Sequence, residues 1–415
     1  MRVVLSTWGS RGDVEPLAAL AVALRELGAD VRVCAPPDEE FTALLTGAGV
    51  TPVPLGPPVR SVVTGARPPS PADAFRLAPE LVAARFETLT AAAEGADALV
   101  ATGLMPAGAR SVAEKLGIRY VLACFHPFGL PSRHFPPMAR PGRASSREET
   151  DYRVLWEEDA ERVNALYREA LNGHRAAIGL PPVDNVRDHV FTKQPWLAAD
   201  PVLGPWQDMT ELDVVQTGAW ILPDDRPLPE DLEEFLDAGE PPVYVGFGSM
   251  AMHMAPDLAR VAVEAVRAQG RRVLLGRGWA GLAPIDDRGD CLAVGEVNHR
   301  ALFGRVAAVV HHGGAGTTTK AALAGAPQVV VPQIADQPRW AARVAALGIG
   351  AAHDGPAPTV ESLSAALGTA LTDDTRERTE IVAGVVRTDG ALMAARLLLG
   401  GGGGAEPPTP AHTPT

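Results

Sequence analysis

The chain has 415 residues and is poor in cysteine, with only Cys34, Cys124 and Cys291, far apart in the sequence. An odd, scattered set gives neither a disulfide framework nor the paired spacing of a zinc site. We expect each to be a small buried residue. The first residues carry one basic side chain and a short apolar strand, without the apolar core of a signal peptide. We therefore expect a cytoplasmic, reducing environment.

The chain also lacks an excess of basic residues. Its 37 lysines and arginines face 50 aspartates and glutamates, which gives a formal net charge of −13. Nucleic-acid-binding proteins present basic faces to phosphate backbones, so we do not expect nucleic acid as a main partner. No apolar run approaches the roughly 20 residues of a membrane-spanning helix, so we expect no membrane span.

Several catalytic signatures are missing. The first loop, Trp8 to Asp13, does not form the Gly-x-Gly-x-x-Gly of dinucleotide-binding domains, and the sequence has no Walker A loop. It also has no Gly-x-Ser-x-Gly elbow, no His-Glu-x-x-His and no Asp-x-Asp triplet that would hold a metal–diphosphate. We therefore expect neither a cofactor nor a metal ion.

The most informative segment is His-His-Gly-Gly-Ala-Gly-Thr-Thr-Thr, residues 311–319. The apolar run before it, Val306 to Val310, predicts a buried parallel strand. The glycines permit a tight turn close to a ligand, and Thr317 to Thr319 are predicted to cap a helix from Lys320 to Ala324. A glycine turn that leads into a helix presents backbone N–H groups to an anion, most often a phosphate.

An acid and an amide follow the next predicted strand. That strand, Gln328 to Pro332, ends just before Asp336 and Gln337. Ligands of open parallel sheets bind beyond the carboxyl ends of the strands, so these side chains are expected near the phosphate turn. A phosphate site beside groups that bind hydroxyls suggests a nucleotide sugar as the ligand.

The alternation of strands and helices occurs twice along the chain. It begins at Arg2 with a strand, a helix from Glu15 to Leu27 and a second strand, and it restarts at Pro242. A chain of this length exceeds one ordinary core, so two domains are expected. The last residues are rich in glycine, proline and threonine and are expected to be disordered. The predicted boundaries are an N-terminal domain 1–221, an acidic linker 222–241 with one short helix, a C-terminal domain 242–382, a last helix 383–399 and a tail 400–415.

The first loop places Ser10, Arg11 and Asp13 beyond the first strand. Asp13 is a candidate general base. It is equally a candidate cap for the helix that starts near Glu15, since aspartate commonly caps helices. A base must lie within hydrogen-bond reach of its proton, so the sequence leaves both roles open.

Other candidates follow strands of the second domain. Ser249 ends the first of these strands and could donate to a phosphate oxygen. Trp279 and Val297 follow later strands, where an aromatic face and backbone amides suit a pyrimidine base, although ordinary loop packing also explains Trp279.

The two histidines of the phosphate turn are expected to differ in role. His312 is a candidate donor to a diphosphate oxygen. His311 points the other way if the strand pleat continues, so we expect it to be structural. Lys320, in the helix that follows, is expected to be solvated.

Together these features resemble a known family. The segments that carry the resemblance are Leu5–Leu17, Val33–Asp38, Arg110–Gly117, Val215–Pro223, Gly246–Ser249 and His311–Gln337. They are similar to those of the two-domain nucleotide-sugar glycosyltransferases, and within them to the glycopeptide-antibiotic (vancomycin-group) enzymes. The glycine block is typical of the wider family and the first loop of the antibiotic group.

The resemblance implies an α/β fold of the GT-B type, in which two Rossmann-like domains face each other across a cleft. The N-terminal domain would bind the acceptor and the C-terminal domain the donor, and the last helix would cross back. It also implies an inverting, metal-independent transfer of a sugar from a UDP- or TDP-sugar donor substrate. The acceptor would be a hydroxyl of a peptide-antibiotic aglycone or pseudoaglycone.

The resemblance also implies a role for each matching residue. Asp13 falls at the position of the base, where the wider family has histidine. A carboxylate with an ordinary pKa of about 4 is a weak base unless it is desolvated. The other implied contacts are Ser10, Arg11, Ser249, His312, Gly314, Gly316 and Thr317 with the diphosphate, the Val297 backbone with the base, and Asp336 and Gln337 with sugar hydroxyls.

Other hypotheses stay open. The segments Leu104 to Arg110 and Phe125 to Arg140 differ from the family's pattern, so the sequence names neither the acceptor nor the sugar. A tailoring glycosyltransferase for another natural product is one alternative. A nucleotide-sugar epimerase on the same plan is a second, and a non-catalytic binding protein is a third.

Overall fold

The computed structural model describes residues 1–63, 71–138, 151–207, 212–250 and 257–400. The segment 125–143, which contains Phe125, Phe128 and Phe135, is the aromatic loop. Its last residues, 139–143, and the tail residues 401–415 lie outside the described ranges. Two parallel sheets, each covered by helices, form the frame. Within these ranges no helix combines the length and apolar character that a bilayer crossing requires.

The first sheet is parallel throughout and has the order β3-β2-β1-β4-β5-β6-β7 among the described residues. Its strands are β1 (Arg2–Ser6), β2 (Asp30–Ala35), β3 (Thr51–Pro54), β4 (Ala98–Ala101), β5 (Arg119–Cys124), β6 (Trp196–Leu197) and β7 (Val215–Gln216). The side chains of Val3 to Leu5 and of β4 are fully buried, because helices cover both faces of the sheet.

The helices of this first unit differ widely in length. They are α1 (Arg11–Glu26), α2 (Glu39–Gly47), α3 (Val59–Val63), α4 (Pro71–Ala92), α5 (Ala109–Leu116), α6 (Tyr152–Ala177) and α7 (Val186–Phe191), with a short 3-10 turn at Pro127–Gly129. The turn follows β5 and opens the aromatic loop on the carboxyl side of the sheet.

The second sheet repeats the plan with the order β10-β9-β8-β11-β12-β13 among the described residues. Its strands are β8 (Val243–Gly246), β9 (Val273–Gly276), β10 (Cys291–Val294), β11 (Ala308–His311), β12 (Gln328–Val330) and β13 (Gly350–Ala352), all in parallel pairs. Its helices, with the acidic α8 that precedes β8, are α8 (Glu230–Asp237), α9 (Leu258–Ala268), α10 (His299–Phe303), α11 (Ala315–Leu323), α12 (Gln337–Ala346), α13 (Val360–Ala370), α14 (Asp373–Ala383) and α15 (Gly390–Leu399).

Helix α1 begins earlier than predicted. It starts at Arg11 rather than near Glu15, because Ser10 serves as the N-cap. Leu17, Leu20 and Leu24, spaced three and four residues apart, form one apolar face of this helix and are fully buried, whereas Leu27, just after the helix, is exposed.

The last helix packs on the first unit. Ala391, Ala394 and Leu398 of α15 belong to the same apolar core as the β1 side chains. A Cβ on Gly390 would lie 2.4 Å from the carbonyl oxygen of Ala219, so the start of this helix lies directly against the backbone before the acidic linker. The predicted single helix 383–399 is wrong in its bounds, since α14 ends at Ala383 and α15 begins at Gly390.

Candidate active site

A cavity of about 1660 Å³ lies between the two sheets, at the carboxyl ends of their central strands. Both halves of the chain line it, as expected for ligands at the switch points of parallel sheets. Every site residue predicted from the sequence borders this cavity: Ser10, Arg11, Asp13, Ser249, Trp279, Val297, His312, Gly314, Gly316, Thr317, Asp336 and Gln337.

Asp13 belongs to the capping box of α1. The Ser10 hydroxyl accepts a hydrogen bond from the Gly12 backbone N–H at 3.3 Å, and Asp13 Oδ2 accepts one from the Ser10 N–H at 2.9 Å. Asp13 is thus the third residue of the helix, and the capping box engages only one of its two carboxylate oxygens. No group among the described residues hydrogen-bonds to Oδ1, which leaves that oxygen for a ligand. Capping and catalysis are therefore compatible.

Burial changes the acidity of Asp13. Removal from water raises its pKa to about 7, an effect that the Ser10 N–H opposes and the negative charge of Asp336 reinforces. A Cβ on Gly9 would lie 2.1 Å from Asp13 Oδ2, so only glycine permits this packing. The carboxyl group is thus tuned to exchange a proton near neutral pH.

The helix after the phosphate turn starts earlier than the predicted Lys320. Helix α11 begins at Ala315, with Gly314 as N-cap, and Thr317 lies within its first turn. Thr318 and Thr319 do not cap the helix, since their hydroxyls donate to the carbonyls of residues 314 and 315 at 3.0 and 2.8 Å. The helix starts directly after Gly314, so its free N–H groups belong to residues that border the cavity, among them Gly316 and Thr317.

The two histidines of the turn have separate roles. His311 is fully buried, and its Nδ1 accepts from the Gly313 N–H at 3.1 Å while Nε2 bonds to Gln328 Oε1 at 2.9 Å. His311 is therefore structural, as predicted. His312 borders the cavity, and its Nδ1 is buried without a hydrogen-bond partner among the described residues.

His312 is neutral at physiological pH, because burial lowers its pKa to about 4. A Cβ on Gly314 would lie 2.6 Å from His312 Nε2, so the ring edge covers the N-cap of α11. A neutral imidazole with its proton on Nε2 would donate toward a ligand at this helix end.

The loops after β8 and β9 are joined beside His312. The Trp279 N–H donates to the Gly248 carbonyl at 2.9 Å, next to Ser249. The Trp279 indole donates to Glu40 Oε1 at 2.9 Å, and the Arg60 guanidinium lies 5.7 Å from its ring centre. Trp279 therefore reaches the first unit, a contact that the sequence did not predict.

Asp336 and Gln337 start α12. Asp336 is its N-cap, follows Ala335 at φ 56°, and accepts from the Trp340 indole N–H at 2.7 Å. Gln337 Oε1 accepts from the backbone N–H groups of residues 333 and 334 at 2.8 and 3.1 Å. The amide oxygen is thus occupied, and the NH₂ group of Gln337 donates to the sulfur of Met250 at 3.6 Å, which leaves its second proton for a ligand.

Ion pairs join the two domains across the cavity. Arg11 donates to Glu15 at 2.9 Å and to both oxygens of Glu296, across the cleft, at 2.7 and 3.0 Å. Lys320 forms an ion pair with Glu15, so the prediction that it is solvated is wrong. Neither of these long-range pairs could be predicted from the sequence, because only the fold brings the paired positions together. Among the described residues, no group of three or more His, Cys, Asp or Glu is placed to hold a metal ion.

Two family models match the chain. Residues 3–129 match the glycosyltransferase family 28 N-terminal domain. Residues 289–390 match the C-terminal domain described as erythromycin biosynthesis protein CIII-like. The first match contains Asp13 and the second contains the phosphate turn.

Solved structures share the fold. The glycotransferase of kitacinnamycin superposes with a TM-score of 0.72 at 21% identity, over 96% of this chain and 98% of that one. The fold is thus of the GT-B type, with two parallel-sheet α/β domains, as predicted.

Curated relatives extend over nearly the full chain. Vancomycin aglycone glucosyltransferase of Amycolatopsis orientalis is 56% identical over 400 residues, 96% of this chain and 97% of its own. From the same organism, glycosyltransferase GtfE is 57% identical over 99% of this chain and 100% of its own. A third relative, dTDP-epi-vancosaminyltransferase, is 50% identical over 99% of this chain and 100% of its own. The chain therefore belongs to the vancomycin group of the two-domain nucleotide-sugar glycosyltransferases.

Proposed function

We propose that this glycosyltransferase moves a sugar from a UDP- or TDP-sugar to a hydroxyl of a glycopeptide-antibiotic aglycone or pseudoaglycone, with inversion and without a metal ion. One observation carries the proposal: Asp13, with its raised pKa, borders the same cavity as the N-terminus of α11 and Asp336. The names of two relatives, an aglycone glucosyltransferase and a dTDP-sugar transferase, support the two substrate classes.

In the proposed reaction Asp13 takes the proton of the acceptor hydroxyl. The acceptor oxygen forms a bond to the anomeric carbon as the bond from that carbon to the diphosphate oxygen breaks. Asp13 lies in the first turn of α1 in the first unit, and the proposed diphosphate site lies at the N-terminus of α11 in the second, so the attacking and the leaving oxygen would lie on opposite sides of the anomeric carbon. A single displacement of this kind inverts the anomeric centre.

The diphosphate would be held by the N-terminal N–H groups of α11, which include those of Gly316 and Thr317. The Nε2 of neutral His312 and the hydroxyl of Ser249 add donors beside them. Fixed dipoles aimed at the oxygen on which charge develops stabilise the transition state without reorganisation. This arrangement supports charge stabilisation by the protein itself.

The remaining predicted residues complete the donor site. Trp279 and the Val297 backbone border the cavity where we place the base, and Asp336 with the NH₂ of Gln337 would bind sugar hydroxyls. Ser10 and Arg11 would meet the diphosphate from the opposite wall. Arg11 is held by Glu15 and Glu296, so it would exchange a carboxylate for a phosphate when the donor binds.

A screen of donors against acceptors tests the proposal. The enzyme is incubated with UDP-glucose or a dTDP-sugar and with vancomycin-type aglycones and pseudoaglycones, and products are identified by mass spectrometry and their anomeric configuration by NMR. We expect a product heavier by one sugar, with inverted configuration, in the presence of EDTA. Epimerisation of UDP-N-acetylglucosamine without any acceptor, or nucleotide binding without transfer across the panel, would contradict the proposal.

A further inference from the structure

The Asp336 carboxylate is held by an indole. Trp340 lies one helical turn along α12, is 1% exposed, and donates from Nε1 to Asp336 Oδ2 at 2.7 Å. This hydrogen bond to a charged acceptor fixes one carboxylate oxygen. The preceding residue, Ala335, has φ 56°, so the backbone on this side of Asp336 is also constrained. Asp336 thus meets the cavity in one orientation.

The same indole contacts the aromatic loop of the first unit. The Phe128 ring lies edge-on to Trp340 with ring centres 5.6 Å apart, and Phe135 lies edge-on to Phe128 at 5.4 Å. Arg339, next to Trp340, lies 5.3 Å from the centres of both phenylalanine rings and donates to the Pro136 carbonyl at 2.7 Å. A continuous set of contacts therefore joins Asp336 to the loop after β5.

We propose that Trp340 is a positioning residue for donor-sugar recognition, which orients the Asp336 carboxylate through its indole N–H and is itself seated against Phe128. The inference rests on the proposed sugar-binding role of Asp336. It adds that recognition of the sugar depends on a buried residue acting through that carboxylate. It further makes the aromatic loop a contributor to donor recognition.

Equilibrium binding separates this role from a general structural one. UDP-glucose and dTDP-glucose are titrated by calorimetry, and the one that binds the wild type more tightly is compared with its own nucleoside diphosphate, which lacks the sugar. We expect Trp340→Phe, which keeps a ring and removes the N–H, to weaken binding of the sugar nucleotide roughly ten-fold, the effect of one hydrogen bond to a charged group. Binding of the nucleoside diphosphate should not change.

Trp156→Phe is a matched control. Trp156 is also buried and donates from its indole to the same loop, to the Phe135 carbonyl at 3.0 Å, but it has no bond to Asp336. We expect this variant to bind both ligands as the wild type does. If Trp340→Phe weakens both ligands equally, or neither, the positioning role is wrong.

Two further variants keep the outcomes distinct. Asp336→Ala tests the proposed function itself, since unchanged binding of the sugar nucleotide would remove the sugar role of Asp336. An effect of Asp336→Ala without an effect of Trp340→Phe would overturn only the present inference. If Trp340→Phe does not fold, Phe128→Leu decides, with selectively weakened sugar-nucleotide binding expected and unchanged binding contradicting the proposal.

Discussion

Asp13 of the first domain and Asp336 of the second border the same cavity, and the negative charge of Asp336 disfavours ionisation of Asp13. Burial is the main cause of the raised pKa of Asp13, about 7, and the negative charge of Asp336 raises it further. A base with a pKa near the working pH is effective in proton transfer. Asp336, which we assign to sugar binding, thus also raises the pKa of Asp13, which we assign to catalysis.

The first prediction concerns pH. A general base must be ionised, so kcat/KM should fall about ten-fold per pH unit below about 7, the pKa of Asp13. Asp336→Asn removes a negative charge that disfavours ionisation of Asp13 and should move this midpoint to lower pH, even though turnover decreases. Initial rates from pH 5 to 9 test both statements. An Asp336→Asn midpoint at or above that of the wild type would contradict the interaction.

The second prediction concerns stability. Because the pKa of Asp13 is raised in the fold, ionisation opposes folding, and the penalty grows as pH rises from the unfolded value near 4 through about 7. Asp13→Asn keeps an oxygen for the Ser10 N–H and cannot ionise. We therefore expect this variant to have a higher Tm than the wild type at pH 8 and a similar Tm at pH 4. An equal shift at both pH values would show that ionisation is not the cause.

The third prediction concerns Arg11. Glu296→Gln weakens the interdomain ion pair that occupies the Arg11 guanidinium, so a nucleoside diphosphate should bind more tightly. The gain in affinity should be at most about five-fold, because exposed ion pairs contribute little energy. Calorimetric titration with UDP and dTDP measures this. Glu264→Gln, which breaks the Glu264–Arg260 pair on α9, serves as the control and should not change the affinity. Weaker binding by Glu296→Gln would argue that Arg11 does not meet the diphosphate.

The fourth prediction concerns the crossing helix. Gly390→Ala places a Cβ 2.4 Å from backbone atoms of Gly218 and Ala219 and should displace α15 and lower the Tm by several degrees. Gly173→Ala, within α6, meets nothing within 4 Å and should leave the Tm unchanged or slightly raised, since alanine favours helix. Thermal unfolding of the two variants tests this. If the two variants have equal Tm values, a Cβ at position 390 is tolerated, which would contradict the close contact between α15 and the backbone of Gly218 and Ala219.

The elements that the sequence predicted well share strong local signals. The predicted strands Val306 to Val310 and Gln328 to Pro332 are mostly apolar runs, and the structure has strands there, β11 at Ala308–His311 and β12 at Gln328–Val330. The glycine turn and Asp336 follow such strands, so the topology of a parallel sheet was enough to predict that they line one cavity.

The features that were missed depend on contacts distant in sequence or on very short elements. Strands β6 and β7 have two residues each, too few for any periodicity. The pairs Arg11–Glu296 and Lys320–Glu15 join residues about 300 positions apart. The raised pKa of Asp13 comes from burial, which a loop sequence does not display.

The catalytic claim is tested most directly by the transfer rate of Asp13→Asn. With saturating sugar nucleotide and an accepted aglycone, we predict that kcat falls on the order of 10²–10⁴-fold, the usual contribution of a general base. The Kd for the sugar nucleotide should stay within about two-fold of wild type, because the amide still accepts from the Ser10 N–H and α1 remains capped. Asp97 is a matched control, because its carboxylate accepts from the backbone N–H of Arg2 at the opposite end of the sheet. The Asp97→Asn variant should retain the wild-type kcat. An Asp13→Asn enzyme that transfers sugar at the wild-type rate would contradict the assignment of Asp13 as the base.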